Sequence, residues 1–86
     1  KIDNYAFLGC DNLEEIILPS TLKSIGSYAF LNLKKLKSIY IPDSIDYIGE
    51  YAFKGFDDTE TISLPKNRNY AANWKTNMKA KIEWRD

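Results

Sequence analysis

The chain has 86 residues, 44% of them hydrophobic and 28% charged, with a formal net charge of zero at pH 7. That length allows one domain or part of one, and the apolar share excludes a disordered chain. Charge balance gives no general attraction for nucleic acid or an anionic membrane, no apolar run nears the ~20 residues of a membrane span, and a single cysteine, Cys10, excludes an internal disulfide.

From its second residue the chain repeats itself. IDNYAF (residues 2–7) returns as IGSYAF (25–30) and IGEYAF (48–53), each copy 23 residues after the last. A fixed period is the signature of a repeat architecture. It divides the chain into repeats 2–24, 25–47 and 48–70, with six positions identical in all three: Ile2/Ile25/Ile48, Tyr5/Tyr28/Tyr51, Ala6/Ala29/Ala52, Phe7/Phe30/Phe53, Ile16/Ile39/Ile62 and Pro19/Pro42/Pro65.

Within each repeat, YAF and the residues after it fit one short helical or 3₁₀ turn. GCDN, NLKK and GFDD then form a polar connection, apart from Cys10, Leu33 and Phe56. LEEIIL, LKSIYI and TETISL alternate apolar and polar residues and end at a proline, so each predicts a short strand. Strands recurring once per repeat must stack in parallel, about 4.8 Å apart. A second extended piece follows in TLKSI and SIDYI, with Leu22, Ile25, Ile45 and Ile48 pointing inward, and Gly26 and Gly49 mark the next turn. No repeat buries its own apolar stripe, but stacked repeats do, which predicts an internal column of Phe7, Phe30 and Phe53 beside one of Ile16, Ile39 and Ile62.

Residues 71–86 lack the YAF box, yet Ile82 and Trp84 lie 20 residues beyond Ile62 and Leu64 with the same alternation. They predict a shortened fourth repeat whose strand joins the sheet, with Trp74 near the position of a Phe and the whole segment capping the core. Charge changes here too. Residues 1–65 hold 6 Lys/Arg against 10 Asp/Glu, and residues 66–86 hold 6 against 2. At the other end Lys1 stands where a Met would open a reading frame, and Ile2 already occupies a repeat position. The expectation is a segment of a longer protein with further repeats upstream.

The pattern I-G-x-x-A-F-x-x-C-x-x-L-x-x-I-x-L-P-x-x-L at a 23-residue period resembles the BspA-type, or treponemal-type, leucine-rich repeat. IDNYAFLGCDNLEEIILPSTLKS carries each signature residue except the Gly at its second position, where Asp3 stands. Leu33 and Phe56 replace the family's Cys, which is normally buried, and Thr59 breaks the Leu13/Leu36 column. The resemblance covers residues 2 to about 65. It implies a right-handed β/α superhelical solenoid with one short parallel strand per repeat, and a non-catalytic role in protein recognition. BspA-like proteins are typically bacterial surface or secreted antigens and adhesins that contact host matrix proteins and host cells. An extracellular location and a host protein ligand are therefore what the resemblance implies, since these 86 residues contain no signal peptide.

Candidate chemistry is sparse. Histidine is absent, which removes the common general base and zinc ligand, and no phosphate-binding glycine loop or nucleophile elbow occurs. Cys10 has no histidine to activate it. Asp57–Asp58 and Glu14–Glu15 lack the glycine and oxygen spacing of a calcium loop and fall where solvated residues belong. No enzyme, cofactor or metal is expected. What remains is the outward face of the strands, which forms the rows Glu14/Lys37/Glu60, Glu15/Ser38/Thr61 and Ile17/Tyr40/Ser63. Apolar Ile17 and aromatic Tyr40 on a face that should be polar make Glu15, Ile17, Ser38, Tyr40, Thr61 and Ser63 the candidate protein-binding face. The alternative is a structural spacer or capping piece of a larger surface protein whose ligand site lies elsewhere.

Overall fold

The chain forms six short strands in the computed structural model, which describes all 86 residues. They are β1 (Ser24–Ile25), β2 (Ser38–Tyr40), β3 (Tyr47–Ile48), β4 (Thr61–Pro65), β5 (Asn69–Tyr70) and β6 (Lys81–Arg85). They sort into two three-stranded parallel sheets, β1-β3-β5 and β2-β4-β6. Beyond the first repeat, each period thus supplies a strand to both sheets rather than one strand in all. The second extended piece pairs as well, with Ile25 opposite Ile48 and Ile48 opposite Tyr70. The first repeat joins this sheet through a parallel bridge from Ile2 to Ile25.

In the larger sheet, Ile39 faces Ile62, which in turn faces Ile82, and Leu64 faces Trp84. LEEIIL behaves differently. Glu14–Leu18 forms no strand, and β2 is left at the edge of its sheet. Leu13, Ile16 and Leu18 pack against the core but are only half-buried. Apolar contact holds this segment without a backbone ladder, which needs both partners in register.

No helix forms. Tyr5, Tyr28 and Tyr51 take φ values of 56°, 56° and 54°, in the left-handed region, which interrupts a right-handed helical turn at its first residues. Hydrogen bonds run between repeats instead. The amides of Tyr5, Phe7, Tyr28 and Phe30 donate to the carbonyls of Ser27, Ala29, Glu50 and Ala52 at 2.9–3.2 Å. The repeats therefore stack along a third side as bonded turns. Gly26 and Gly49 sit just before these turns because backbone crowds them: a Cβ on Gly26 would lie 2.6 Å from the Asn4 nitrogen, and one on Gly49 2.7 Å from that of Ser27.

The core lies between the three sides. Phe7, Phe30 and Phe53 stack with centroids 5.2 and 5.4 Å apart, and Phe30 and Phe53 are fully buried. Leu22, Ile25, Ile45 and Ile48 all point inward. Trp74 packs edge-on against Phe53 at 5.9 Å. Phe7 and Ile16, with a repeat on one side only, remain half-buried.

Two expectations at the connections are corrected. Cys10 is exposed, whereas Leu33 and Phe56 in the same column are buried, because a preceding repeat covers only the latter two. Glu60 does not face outward with Glu14 and Lys37; it is fully buried. Thr59 in the leucine column is exposed, and its amide and hydroxyl both donate to Asp57 Oδ1, at 2.9 and 2.5 Å. This tight turn directs Glu60 into the interior.

Candidate protein-binding face

The outward side of β2-β4-β6 brings together most of the face expected from the alternation. Ile17 is 85% exposed and Tyr40 57% exposed, and Glu15 and Ser38 are exposed, while Thr61 and Ser63 are half-buried. Thr61 and Ser63 pair with Ser38 and Tyr40 in β2. Ile17 and Glu15 lie one period earlier, on the unpaired segment, so the register joins the six residues but a continuous ladder joins only four.

One residue of this face escaped the sequence reading. Arg85, at the end of β6, reaches back across β4 and stacks its guanidinium 3.9 Å from the Tyr40 ring centroid. Its Nη1 donates to Ser63 Oγ at 2.6 Å, and its Nη2 donates to the Ile41 carbonyl and to Asp43 Oδ1, the latter at 3.1 Å. A guanidinium over a phenol ring stabilises by about 0.5–1 kcal/mol at an exposed site. The alternation of KIEWR marks a strand, but the diagonal reach depends on three-dimensional register. Asp43 is gripped twice, since Arg68 Nη2 donates to its carbonyl at 3.0 Å and Arg68 Nε to that of Ile45 at 3.0 Å.

A second aromatic surface was also missed. Tyr5, Tyr28 and Tyr51, part of the repeated signature, do not enter the core. Their rings stack at 5.0 and 5.2 Å, and Lys54 Nζ lies 5.7 Å from the Tyr28 ring centroid. Desolvation in the stack, then the neighbouring Tyr5 and Tyr51, raises the Tyr28 hydroxyl above its ordinary range.

Carboxylate chemistry stays local. Hydrogen bonds from Thr59 hold Asp57 below the usual carboxylate range. No group of three or more His, Cys, Asp or Glu side chains is placed to hold a metal ion, and no helix is long and apolar enough to cross a membrane.

The 23-residue period, the Phe and Ile columns and the parallel pairing coincide with one sequence family. The family model described as "BspA type Leucine rich repeat region (6 copies)" matches residues 1–79. The chain belongs to the BspA-type leucine-rich repeat family. No curated protein and no solved structure matches it. For a BspA-type chain, membership suggests a repeat module that interacts with proteins, in a family that is generally non-catalytic and typically bacterial surface or secreted.

Proposed function

We propose that this BspA-type chain is a non-catalytic recognition module of a secreted or cell-surface protein, an adhesin or surface antigen that binds host matrix or cell-surface proteins. Its binding face is Glu15, Ile17, Ser38, Tyr40, Thr61 and Ser63. The observation that carries this reading is the pair Ile17 and Tyr40, a large aliphatic and an aromatic side chain left exposed at one register position of an otherwise polar face. Such a pair supplies apolar contact area and a hydroxyl together, the combination common at interface hot spots. On this reading the three repeats wind as a right-handed superhelix, the hand that parallel crossovers take. Residues 71–86 form a shortened fourth repeat whose Trp74 covers the end of the phenylalanine column.

Arg85 favours a second reading, in which these repeats are a spacer or cap for a ligand site elsewhere in a larger surface protein. Its guanidinium already occupies one side of Tyr40 and the hydroxyl of Ser63. The double substitution Ile17→Ser, Tyr40→Ala separates the two. Binding is measured to immobilised extracellular matrix proteins and to intact host cells, alongside the melting temperature. Loss of binding, with melting lowered by no more than the Arg85–Tyr40 contact contributes, supports recognition, and undiminished binding supports the spacer. A wild-type chain that binds none of the matrix proteins or cells removes the adhesin reading.

A further inference from the structure

Glu60 is the one charged residue with no accessible surface, and nothing in the recognition reading uses it. Its Oε1 accepts the Asp57 amide at 2.8 Å, while its Oε2 has no partner. No ion pair compensates it: the salt bridges are Lys1–Asp3, Lys66–Asp86 and Arg85–Asp43. The groups around it are otherwise engaged. On its own turn, the Asp57 carboxylate is held by Thr59. From the preceding repeat, Lys37 Nζ donates to Thr59 Oγ1 at 3.3 Å and to the Lys34 carbonyl at 3.4 Å. From the segment that follows, Lys79 and Lys81 contribute backbone amides to the Phe56 and Glu60 carbonyls, at 2.8 and 2.9 Å, and their side chains are exposed.

That last bond gives Glu60 its leverage. The Lys81 amide on the Glu60 carbonyl opens the pairing of β6 with β4, and the Lys66 amide on the Arg85 carbonyl closes it at 2.8 Å. A disturbance at Glu60 therefore falls on the first rung of the strand that carries Arg85.

We propose that the buried Glu60 carboxyl is a proton-operated latch on β6: neutral, it leaves the strand docked along β4, and ionised, it loosens the strand from its Lys81 end and with it the Arg85 clamp on Tyr40. A carboxylate whose second oxygen lacks any donor is costly in a dry site, and protonation removes the buried charge, the larger part of that cost. Burial raises the Glu60 carboxyl above its ordinary range; the Asp57 amide opposes this, the Asp57 charge adds to it, and Lys37 and Lys34 oppose it weakly. The folded-state value thus exceeds the unfolded one. The stabilisation is complete below the unfolded carboxyl value and is lost as pH rises through the folded one. With no histidine in the chain, no side chain of ordinary pKa competes between pH 5 and 8. The latch is intramolecular and holds whether or not the face binds a ligand.

Amide hydrogen exchange by NMR on the 86-residue chain tests it, with protection of the Lys81 and Lys66 amides followed from pH 4 to 8 and corrected for intrinsic exchange. In the wild type, protection falls as pH rises, by about tenfold for each unit by which the folded carboxyl exceeds the unfolded one. In Glu60→Gln, which keeps the acceptor and removes the titration, protection is flat, and the remote Tyr28 amide shows no such dependence in either protein. A wild-type profile without the fall, or the same fall in Glu60→Gln, overturns the latch. If Glu60→Gln does not fold, the wild-type Glu60 carboxyl is titrated directly by carbon NMR: a midpoint well above about 4.3 supports the latch, and a midpoint there overturns it.

Discussion

Phe30 has a ring neighbour on both sides, Phe7 at 5.2 Å and Phe53 at 5.4 Å, and no exposed surface. Its truncation to alanine removes contacts in two repeats at once and leaves a cavity that neither can refill. The expected loss is about 3–5 kcal/mol in denaturant unfolding. Phe7→Ala costs less, because Phe7 is half-buried and has one ring partner. Equal losses would show that the column does not act as a stack. Arg85 is the other residue with a large local role. Arg85→Ala deletes charge-assisted hydrogen bonds to Ser63 and Asp43 and a bond to the Ile41 carbonyl, and lowers stability by about 1.5–3 kcal/mol on the same assay. A loss near zero would mean that the clamp is an exposed surface contact only.

At the scale of the element, the connecting turns were harder to read from sequence than the strands. Apolar and polar alternation between a connection and a proline located β2 and β4, because a half-buried strand needs that period. The same pattern in LEEIIL gave no strand, since alternation describes which side chains are buried and does not supply a bonded neighbour. In the turns, the left-handed positions Gly9, Asn32 and Gly55 recur every 23 residues, and Asn77 follows 22 later, a Gly/Asn column that was open to inspection. Tyrosine gave no such hint, as a bulky residue at positive φ costs about 1–3 kcal/mol and is not expected there. Gly55→Ala tests the column. The new Cβ combines a φ of 91° with a collision against Asn32 Oδ1, whereas Gly9→Ala at φ 85° meets open space. Gly55→Ala should lower the melting temperature clearly more than Gly9→Ala, and the reverse order would refute the stacking of turns described here.

At the scale of the whole molecule, the residues fixed by the repeat and the residues free to vary have separated tasks. Ile2/Ile25/Ile48 bridge or pair from repeat to repeat, Ala29 and Ala52 are fully buried, and the phenylalanines stack, so the identical positions are the ones that meet their own copies. This much was legible, because a column of identical residues at a constant period can pack only against itself. The candidate face was legible only in outline. Alternation placed Ile17 and Tyr40 outward, but Arg85 over Tyr40 and Glu60 turned inward came from a 20-residue register and a local turn, which one-dimensional spacing does not encode. The recognition face is tested most directly by Ile17→Ser, Tyr40→Ala, with melting temperature and binding to matrix proteins and host cells measured on the same preparation. The expected result is lost binding, with a fall in melting temperature no larger than the loss of the Arg85–Tyr40 contact accounts for; binding retained would contradict a recognition role for this face.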